Sequence, residues 1–363
     1  MDIDARVEAW ASLQLIPGLS SRALVALLKA FGGPAEVLAA SRASLKPLVG
    51  AELASAIAQG AAPDELSRSL AWLAEPGHAL LAWDDAAYPR ALLTIGDPPP
   101  VLHYAGKLDL LNRPALAIVG SRNATPQGRE NAQAFAAALS AAGLTIVSGL
   151  AQGIDAAAHR GGLAGAGNSV AVVGTGIDRI YPAANKALAH RLAEEGGLLS
   201  QFTLVTPPLP GNFPRRNRVI SGLVRGVLVV EATPNSGSLI TARFAAEQGR
   251  EVFAIPGSIH SPFSKGCHRL IKEGAKLVET AQDVLEELGL AAGASASALK
   301  GSAPAADGDA ARVLAALGHD PVDVDQLAER TGLDASAIAV ALVELELAGQ
   351  VAPMAGGAFQ RVM

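Results

Sequence analysis

Short apolar runs alternate with helix-forming segments between residues 115 and 278, and this alternation limits the possible folds more than any other feature of the sequence. The runs are ALAIVG, LTIVSG, SVAVVG, a weaker GLLS, VRGVLVVEA, EVFAIPG and AKLV. Strands that alternate with helices favour an α/β fold built on a doubly wound parallel sheet. We predict that fold for the centre of the chain.

Glycine and serine residues follow most of these predicted strands. In a doubly wound sheet, ligands bind outside the carboxyl ends of the strands, where the connecting loops meet. Loops of this composition therefore predict one shared binding site at that edge. The loops in question are Gly120-Ser121-Arg122, Ser148-Gly149, Gly174-Thr175-Gly176, the turn PNSGS at 234–238, and Pro256-Gly257.

The stretch from Asn212 to Arg250 has a local charge of +4, whereas the formal net charge of the whole chain is −5. Guanidinium groups and the free N–H groups at the start of a helix both bind phosphate oxygens. We therefore predict that PRRNR at 214–218 and the SGS turn at 236–238 converge on one phosphate-binding site, with the GSR loop at the same edge.

The individual arginines of PRRNR are not expected to be equivalent. Arg216 is expected to point to solvent. Arg218 has a structural alternative, in which it pairs with Glu231 or with a backbone carbonyl. The whole run has a simpler alternative as well, a solvated patch of surface charge.

The composition limits the other possibilities. Aromatic residues are 4% of the chain, so surfaces for base stacking are scarce and affinity for nucleic acid should come mainly from phosphate contacts. Because Cys267 is the single cysteine, an intrachain disulfide and a cysteine-cluster metal site are excluded, and we expect an ordinary buried or half-buried thiol. We see no signal peptide and no run of the ~20 apolar residues that span a bilayer. A soluble, cytoplasmic protein with no membrane partner is expected.

Catalytic and cofactor motifs are not found. The glycines of GTG at 174–176 lack the dinucleotide spacing, and there is no P-loop, so no cofactor is predicted. Asp155 and His159 are four residues apart on one predicted helix, where they form either an acid–base pair or a local structural arrangement. We favour the structural interpretation, because no nucleophile or metal cluster lies nearby in sequence, and we predict no catalytic or metal-binding residue.

Smaller domains flank the centre. A helical domain of the helix–hairpin–helix or SAM-like type is predicted over residues 1–75. Its turn could offer N–H groups to a DNA phosphate, but few cations lie nearby, so we favour a purely structural role. The central domain is predicted over 76–290, a flexible linker over 291–308 and a winged helix–turn–helix over 309–363. The helix in the recognition position, 334–348, has no Lys or Arg, so we interpret this module as a protein-contact or weakly accessory domain rather than a reader of DNA sequence.

Several motifs, taken together and in this order, closely resemble the DprA/Smf family of DNA-processing proteins. They are IVGSR, SGLAQGIDAAAH, AVVGTGIDRIYPAANK, FPRRNRVISGL, VVEATPNSGSLITARFAAEQGR and VFAIPGSIHSPFSKGCHRLIKEGAKLV. The match covers roughly residues 78 to 285. The resemblance implies an extended Rossmann-like fold and a non-enzymatic protein that binds single-stranded DNA. Members of that family protect incoming DNA during natural transformation, load the RecA recombinase onto that DNA and act as homodimers.

The resemblance also assigns residues. It places Arg122 and Arg215 in the DNA pocket, and self-association around His268 to Val278. One departure is Gln201, where many members have a carboxylate, so no role for an acid carries over at that position. The remaining DNA-binding candidates beside the two arginines are Ser121, Asn217, Arg218, Gly237 and Ser238.

A second hypothesis belongs to a different class. Nucleotide-binding Rossmann enzymes such as phosphoribohydrolases also combine a glycine-rich turn, a following helix and an acid one or two turns further along it. Here SGSLITARFAAE would supply Glu247. The arginine-rich run and the terminal domains are more than a small substrate requires, so we favour single-stranded DNA.

Overall fold

The computed structural model describes residues 4–290, 308–318, 321–354 and 356–362. The predicted linker, 291–308, lies outside the described residues except for Gly308. In the part of the chain that is described, no helix is both long enough and apolar enough to cross a membrane.

The N-terminal domain consists of helices packed around a small apolar core. Ser20 caps the second helix and accepts a hydrogen bond from Ala23 N at 3.2 Å. The core of this domain includes Leu80 and Val101 from the central sheet, so the helices pack directly against it. The helices are α1 (Ala5–Gln14), α2 (Ser21–Phe31), α3 (Pro34–Ala39), α4 (Arg42–Gln59) and α5 (Pro63–Leu73).

A nine-stranded sheet forms the centre, in the order β1-β2-β6-β5-β4-β3-β7-β8-β9. The seven strands β6-β5-β4-β3-β7-β8-β9 all run parallel to their neighbours. At the other edge, β1 and β2 pair antiparallel to each other, and β2 pairs antiparallel to β6. The strand order reverses between β3 and β7, so their carboxyl ends flank a topological switch point. The strands are β1 (His78–Ala82), β2 (Val101–Gly106), β3 (Ala115–Val119), β4 (Thr145–Ser148), β5 (Ser169–Val172), β6 (Gly197–Ser200), β7 (Gly226–Val229), β8 (Glu251–Ala254) and β9 (Lys276–Leu277).

Helices cover both faces of the sheet, as the alternating pattern predicts. Along β3, Leu116 and Ile118 face α6 and α7, whereas Ala117 and Val119 face α9 and α10. This alternation follows from the two-residue period of a strand. Three short 3₁₀ helices lie at Arg90–Thr94, Leu108–Asn112 and Ala183–Asn185. The α-helices are α6 (Pro126–Ala141), α7 (Ile154–Leu163), α8 (Lys186–Glu195), α9 (Asn212–Leu223), α10 (Ser238–Glu247), α11 (Lys265–Lys272) and α12 (Ala281–Glu287).

The C-terminal domain is a winged helix. Its final hairpin contacts the start of α6, where Gln127 N donates to Gln360 Oε1 at 3.3 Å. Residues 309–363 contain eight Asp or Glu and three Lys or Arg, so the formal net charge of −5 resides in this part of the chain. The elements are α13 (Asp309–Leu317), β10 (Val322–Asp323), α14 (Val324–Thr331), α15 (Ala335–Leu347), β11 (Val351–Pro353) and β12 (Ala358–Arg361).

Cys267 lies in the core between α11 and the sheet, as expected for a structural thiol. Its side chain is buried, and Sγ is 3.6 Å from the carbonyl oxygens of Val229 and Val230. Burial raises the pKa of the thiol to about 12, so the neutral form is present at physiological pH.

Candidate nucleic-acid interface

A cavity of about 430 Å³ opens at the carboxyl edge of the sheet, at the switch point between β3 and β7. Four segments form its walls: the loop after β3, the loop after β4, the first turns of α9, and the turn before α10. Its polar and aromatic lining includes Ser121, Arg122, Asn123, Asp155, Phe213, Arg216, Asn217, Thr233, Ser236, Ser238 and Thr241, with backbone from Gly120 and Gly237.

The loop that carries Arg122 is held close to the neighbouring strand. Ser121 N donates to the carbonyl oxygen of Glu231 at 2.8 Å. A β-carbon at Gly120 would lie 2.9 Å from the same oxygen and 2.6 Å from Cγ1 of Ile154, so only glycine fits here. Arg122 follows and is exposed, with its Cζ atom 5.6 Å from the centroid of the Phe213 ring. The loop thus presents a solvent-accessible cation at the cavity.

The PRRNR run lies within the first turns of α9, and the helix places neighbouring arginines in different environments. Arg215 is exposed, whereas Arg216 is 5% exposed and lines the cavity. Arg216 Nη1 donates to Val172 O at 3.0 Å, and its buried Nε has no hydrogen-bond partner. The expectation that Arg216 points to solvent is therefore wrong, because the helix turns this side chain toward the sheet.

A buried carboxylate lies near Arg216. Asp155 Oδ2 accepts from Gly149 N at 3.1 Å and from Ala151 N at 3.3 Å. Burial raises the pKa of Asp155, and the positive charge of Arg216 opposes that shift. Burial likewise lowers the pKa of Arg216 to about 10, against the effect of Asp155. Arg216 therefore remains charged at neutral pH, with its charge only partly compensated.

Arg215 and Arg218 lie outside this cavity. Arg215 places its Cζ 5.2 Å from the centroid of the Phe202 ring. Arg218 donates to the carbonyl oxygen of Asp97 and pairs with its carboxylate at 3.3 Å. The backbone-carbonyl alternative for Arg218 is confirmed. The pairing with Glu231 is wrong, because that carboxylate accepts from Thr125 N at 3.0 Å and Thr125 Oγ1 at 2.6 Å.

The SGS turn forms the opposite wall and is joined to α9. Ser236 Oγ and Ser238 Oγ are 2.7 Å apart, and Asn217 Nδ2 donates to Gly237 O at 3.4 Å. The turn leads into α10, whose first N–H groups carry the positive end of the helix dipole. This wall can therefore hold an anion opposite the arginines.

The cavity brings together five of the seven DNA-binding candidates: Ser121, Arg122, Asn217, Gly237 and Ser238. Sequence reasoning missed several residues that line it, among them Phe213, Arg216 and Asp155. Helical spacing could have found Arg216, since it lies four residues after Asn212 and four before Ile220, both buried on α9. Such spacing marks the buried face of a helix.

Two further arginines of the 212–250 stretch, Arg225 and Arg250, do not join the site. Arg225 is exposed just before β7, and Arg250 precedes β8, so both lie at the amino edge of the sheet. Arg250 donates to Ala91 O at 3.0 Å and Thr94 Oγ1 at 2.8 Å. Arginines that are close in sequence therefore lie at different places in the fold, and the local charge of +4 is divided between the carboxyl and amino edges of the sheet.

Asp155 and His159 do not form an acid–base pair. His159 Nε2 accepts from Leu150 N at 3.3 Å, so the ring proton lies on Nδ1, which is 2.8 Å from Ser169 Oγ. Ser169 Oγ in turn donates to Ile146 O at 2.8 Å. Burial lowers the pKa of His159 to about 3. The two side chains hold the loop after β4 separately, which agrees with the structural interpretation.

These features define a class of protein. A doubly wound sheet carries an arginine-lined cavity at its switch point, and helical and winged-helix domains lie at the two ends of the chain. The chain matches the family described as DNA recombination-mediator protein A over residues 79–289, and the DprA winged helix domain over residues 297–357. The chain belongs to the DprA/Smf family.

Similarities to individual relatives support the same family assignment. Protein Smf of Escherichia coli (strain K12) is 46% identical over 298 residues, which are 80% of each chain. The X-ray structure of DNA processing protein A from Streptococcus pneumoniae aligns with a TM-score of 0.67 and 39% identity, covering 77% of this chain and 95% of that one. A structure of the Helicobacter pylori protein, described by its single-stranded DNA binding mode, aligns with a TM-score of 0.53 and 29% identity, covering 58% and 95%.

Proposed function

We propose that this chain binds the backbone of single-stranded DNA in the cavity between β3 and β7. The observation that carries the proposal is the convergence of Arg122 and Arg216 on one ring, with Cζ atoms 5.6 and 5.9 Å from the Phe213 centroid. Within the described residues, no carboxylate oxygen lies within 4.0 Å of the Arg122 guanidinium. Two poorly compensated cations opposite a helix N-terminus suit a phosphodiester.

The wider role rests on the family. We infer that the chain protects incoming single strands during natural transformation in the cytoplasm, and loads the RecA recombinase onto them. The single-stranded DNA binding mode described for the Helicobacter pylori relative supports the binding of single strands. We place self-association on His268 to Val278, where Leu277 is 43% exposed. Arg215, exposed next to the cavity on α9, would contact the strand as it leaves.

The alternative, a nucleotide-cleaving Rossmann enzyme, gains no support from the site. Glu247, the acid it requires, is exposed at the last residue of α10, nine residues after Ser238. At ~1.5 Å per residue, that is about 13 Å along the helix from the turn that would hold the phosphate. Release of free base from nucleoside monophosphates would nevertheless establish the alternative directly.

The winged helix is proposed to contact protein. Val340, Val343 and Leu347 are more than half exposed along one face of α15, beside Glu344. In a sequence-reading winged helix, the corresponding face enters the major groove and meets phosphates. An apolar, acidic face is unsuited to that role and suited to a protein surface.

The decisive experiment is a fluorescence-anisotropy titration of single-stranded and double-stranded oligonucleotides over a range of salt. Three to four phosphates per protomer give a slope of log affinity against log salt of about −2 to −3. Arg122→Glu should reduce affinity for all single-stranded sequences alike. Arg225→Glu is the matched control, because it makes the same charge change in an exposed arginine at the opposite edge of the sheet. Equal affinities for wild type and Arg122→Glu would overturn the proposal.

A further inference from the structure

We propose that the outer face of α15, together with the groove beside it, binds an amphipathic helix of another protein that is apolar along one face and basic at the flanks of that face. The inference rests on the proposed role of the winged helix in protein contact, and it names the chemistry of the partner. It is independent of the site proposed for single-stranded DNA.

The helix α15 carries apolar side chains on two opposite sides. The inner side supplies the core of the winged helix through buried Ile338, Ala341, Leu342 and Leu345. The outer side presents Val340, Val343 and Leu347, which are spaced by three and four residues and are 59%, 55% and 84% exposed. A helix that is apolar on both sides is normally covered on both. The outer stripe therefore has no role in the fold of its own domain.

The concentration of exposed apolar surface on this stripe sets it apart. Among the described residues, five large apolar side chains are more than half exposed, and three of them form the stripe. Single exposed apolar residues are ordinary on protein surfaces. Several in one row mark an interaction site.

Acidic side chains flank the stripe on both sides. At about 100° of rotation per residue, Glu344 lies to one side of the stripe and Glu346 to the other, and both are exposed. Within the described residues, no cation lies within 4.0 Å of either carboxylate. Arg312 and Arg330 of the same domain instead donate to backbone carbonyls, at 2.7 and 2.9 Å. A partner that covers the stripe must therefore supply the positive charge.

A groove of about 480 Å³ lies beside the stripe, between the start of α13 and α15. Small side chains in such a groove leave room for the side chains of a second helix packed alongside. Lysine and arginine suit its acidic edge, because their methylene stems pack on apolar surface while their charges reach the carboxylates. The groove is lined by Asp309, Ala310, Asp334, Ser336, Ala337, Val340, Ala341 and Glu344.

The charges decide between the possible occupants. A second copy that docked through the same face would bring Glu344 and Glu346 close to the same acids of its partner, and a DNA backbone would be repelled in the same way. An amphipathic helix with apolar residues at i, i+3 or i+4, and i+7 matches the spacing of the stripe. Lysine or arginine on both flanks of that helix then matches the acids.

The test uses two synthetic helical peptides of about 18 residues, or five turns. Both have the same row of leucines at helical spacing, and the flanking positions are all lysine in one and all glutamate in the other. In fluorescence anisotropy with labelled peptide, the full-length protein should bind the lysine peptide and should bind the glutamate peptide at least about tenfold more weakly. A lysine peptide with a central proline keeps the charge but breaks the helix, so it should also bind at least about tenfold more weakly.

Two variants locate the binding on α15. Val343→Ser with Leu347→Ser should weaken binding of the lysine peptide about tenfold, because it removes the apolar contact. Glu344→Lys should weaken binding of the lysine peptide and strengthen binding of the glutamate peptide, a reversal that a general loss of structure would not produce. Glu329→Lys is the matched control, because it makes the same charge change in an exposed acid on α14, outside the groove. It should leave both affinities within about twofold of wild type.

Absence of lysine-peptide binding by wild type, or equal binding by wild type and the serine variant, would overturn the proposal. Equal binding of the lysine and glutamate peptides would overturn the partner's chemistry and leave a protein contact of another kind. Self-association in sedimentation velocity that the serine variant abolishes would assign the face to a second copy instead. Single-stranded DNA affinity of the same variants is measured separately, so a failure of peptide binding leaves the phosphate site standing, and a failure of DNA binding leaves this surface standing.

Discussion

The guanidinium group of Arg216 lies directly against the backbone of Gly149. A β-carbon built on Gly149 would be 1.6 Å from Arg216 Nη1 and 2.8 Å from Asp155 Oδ2. The loop after β4 and the helix α9 therefore approach closely only because residue 149 has no side chain. Glycine at this point is what allows a buried cation to reach the cavity.

Gly149→Ala should displace Arg216 from its position against Val172 O. We expect a loss of stability of roughly 1–3 kcal/mol from overpacking, and a fall in single-stranded DNA affinity of about tenfold from the displaced charge. Urea unfolding and anisotropy titration measure the two effects. Gly96→Ala is the matched control, because nothing lies within 4 Å of an added β-carbon there and its backbone is not left-handed. Wild-type affinity in a folded Gly149→Ala protein would contradict this account.

The buried charges of Asp155 and Arg216 should be energetically coupled. Removing either one leaves the other buried with less compensation, which is costly. In a double-mutant cycle of Asp155→Asn and Arg216→Met, the two single losses of unfolding free energy should together exceed the loss in the double variant. We expect a coupling of roughly 0.5–3 kcal/mol. Additive losses would show that the two groups do not interact.

Burial of neutral His159 should make the protein less stable in acid. The folded-state pKa is lowered from 6.5 to about 3, so between these values the unfolded chain binds the additional proton. Stability from this residue is therefore present above pH 6.5 and lost as pH falls toward 3, by at most about 1.4 kcal/mol per pH unit. His103, with a pKa lowered to about 4 by burial, contributes in the same direction.

Urea unfolding at several pH values between 7 and 4.5 tests this expectation. His159→Gln should reduce the dependence of stability on pH relative to wild type, whatever its stability at pH 7. His190→Gln, at an exposed position on α8, is the control. A pH dependence identical in wild type and His159→Gln would exclude the mechanism.

The exposed face of α15 should be dispensable for DNA binding. Val343→Ser with Leu347→Ser removes apolar surface that is 55% and 84% exposed, so stability should change by no more than ~0.5 kcal/mol per site. Single-stranded DNA affinity should stay within about twofold of wild type, since the helix has no cation to contact phosphate. A large loss of affinity would place the strand on this helix instead.

The sheet and part of the site follow from local sequence patterns. Buried parallel strands read as continuous apolar runs, so β3 and β7 are recognisable without tertiary information. Glycine and serine after those strands identify the walls that contain Ser121 and Ser238. These features are local, which is why sequence alone predicts them.

The environment of each arginine is not a local property. Arg215 and Arg216 are adjacent and chemically identical, and about 100° of helical rotation separates a solvent-exposed side chain from a buried one. Treating PRRNR as an arginine-rich loop conceals that difference. The burial of Arg216 depends on Gly149 and Val172, which are 67 and 44 residues away in sequence.

The edge of the sheet is also harder to foresee than its centre. The strands β1 and β2 are recognisable as short apolar runs, but their antiparallel pairing depends on which edge they join. The helix α5 is different, because Pro63 at its start and the acids Asp64 and Glu65 are local helix-start signals.

The position of the winged helix has a consequence for the path of a bound strand. This domain holds the chain's net negative charge and touches the start of α6, just beyond the loop that carries Arg122. A polyanion leaving the cavity on that flank would meet repulsion, whereas the side of α9 and α10 offers Arg215 and Arg243, both exposed. A strand should therefore enter and leave over the half of the molecule that carries α9 and α10.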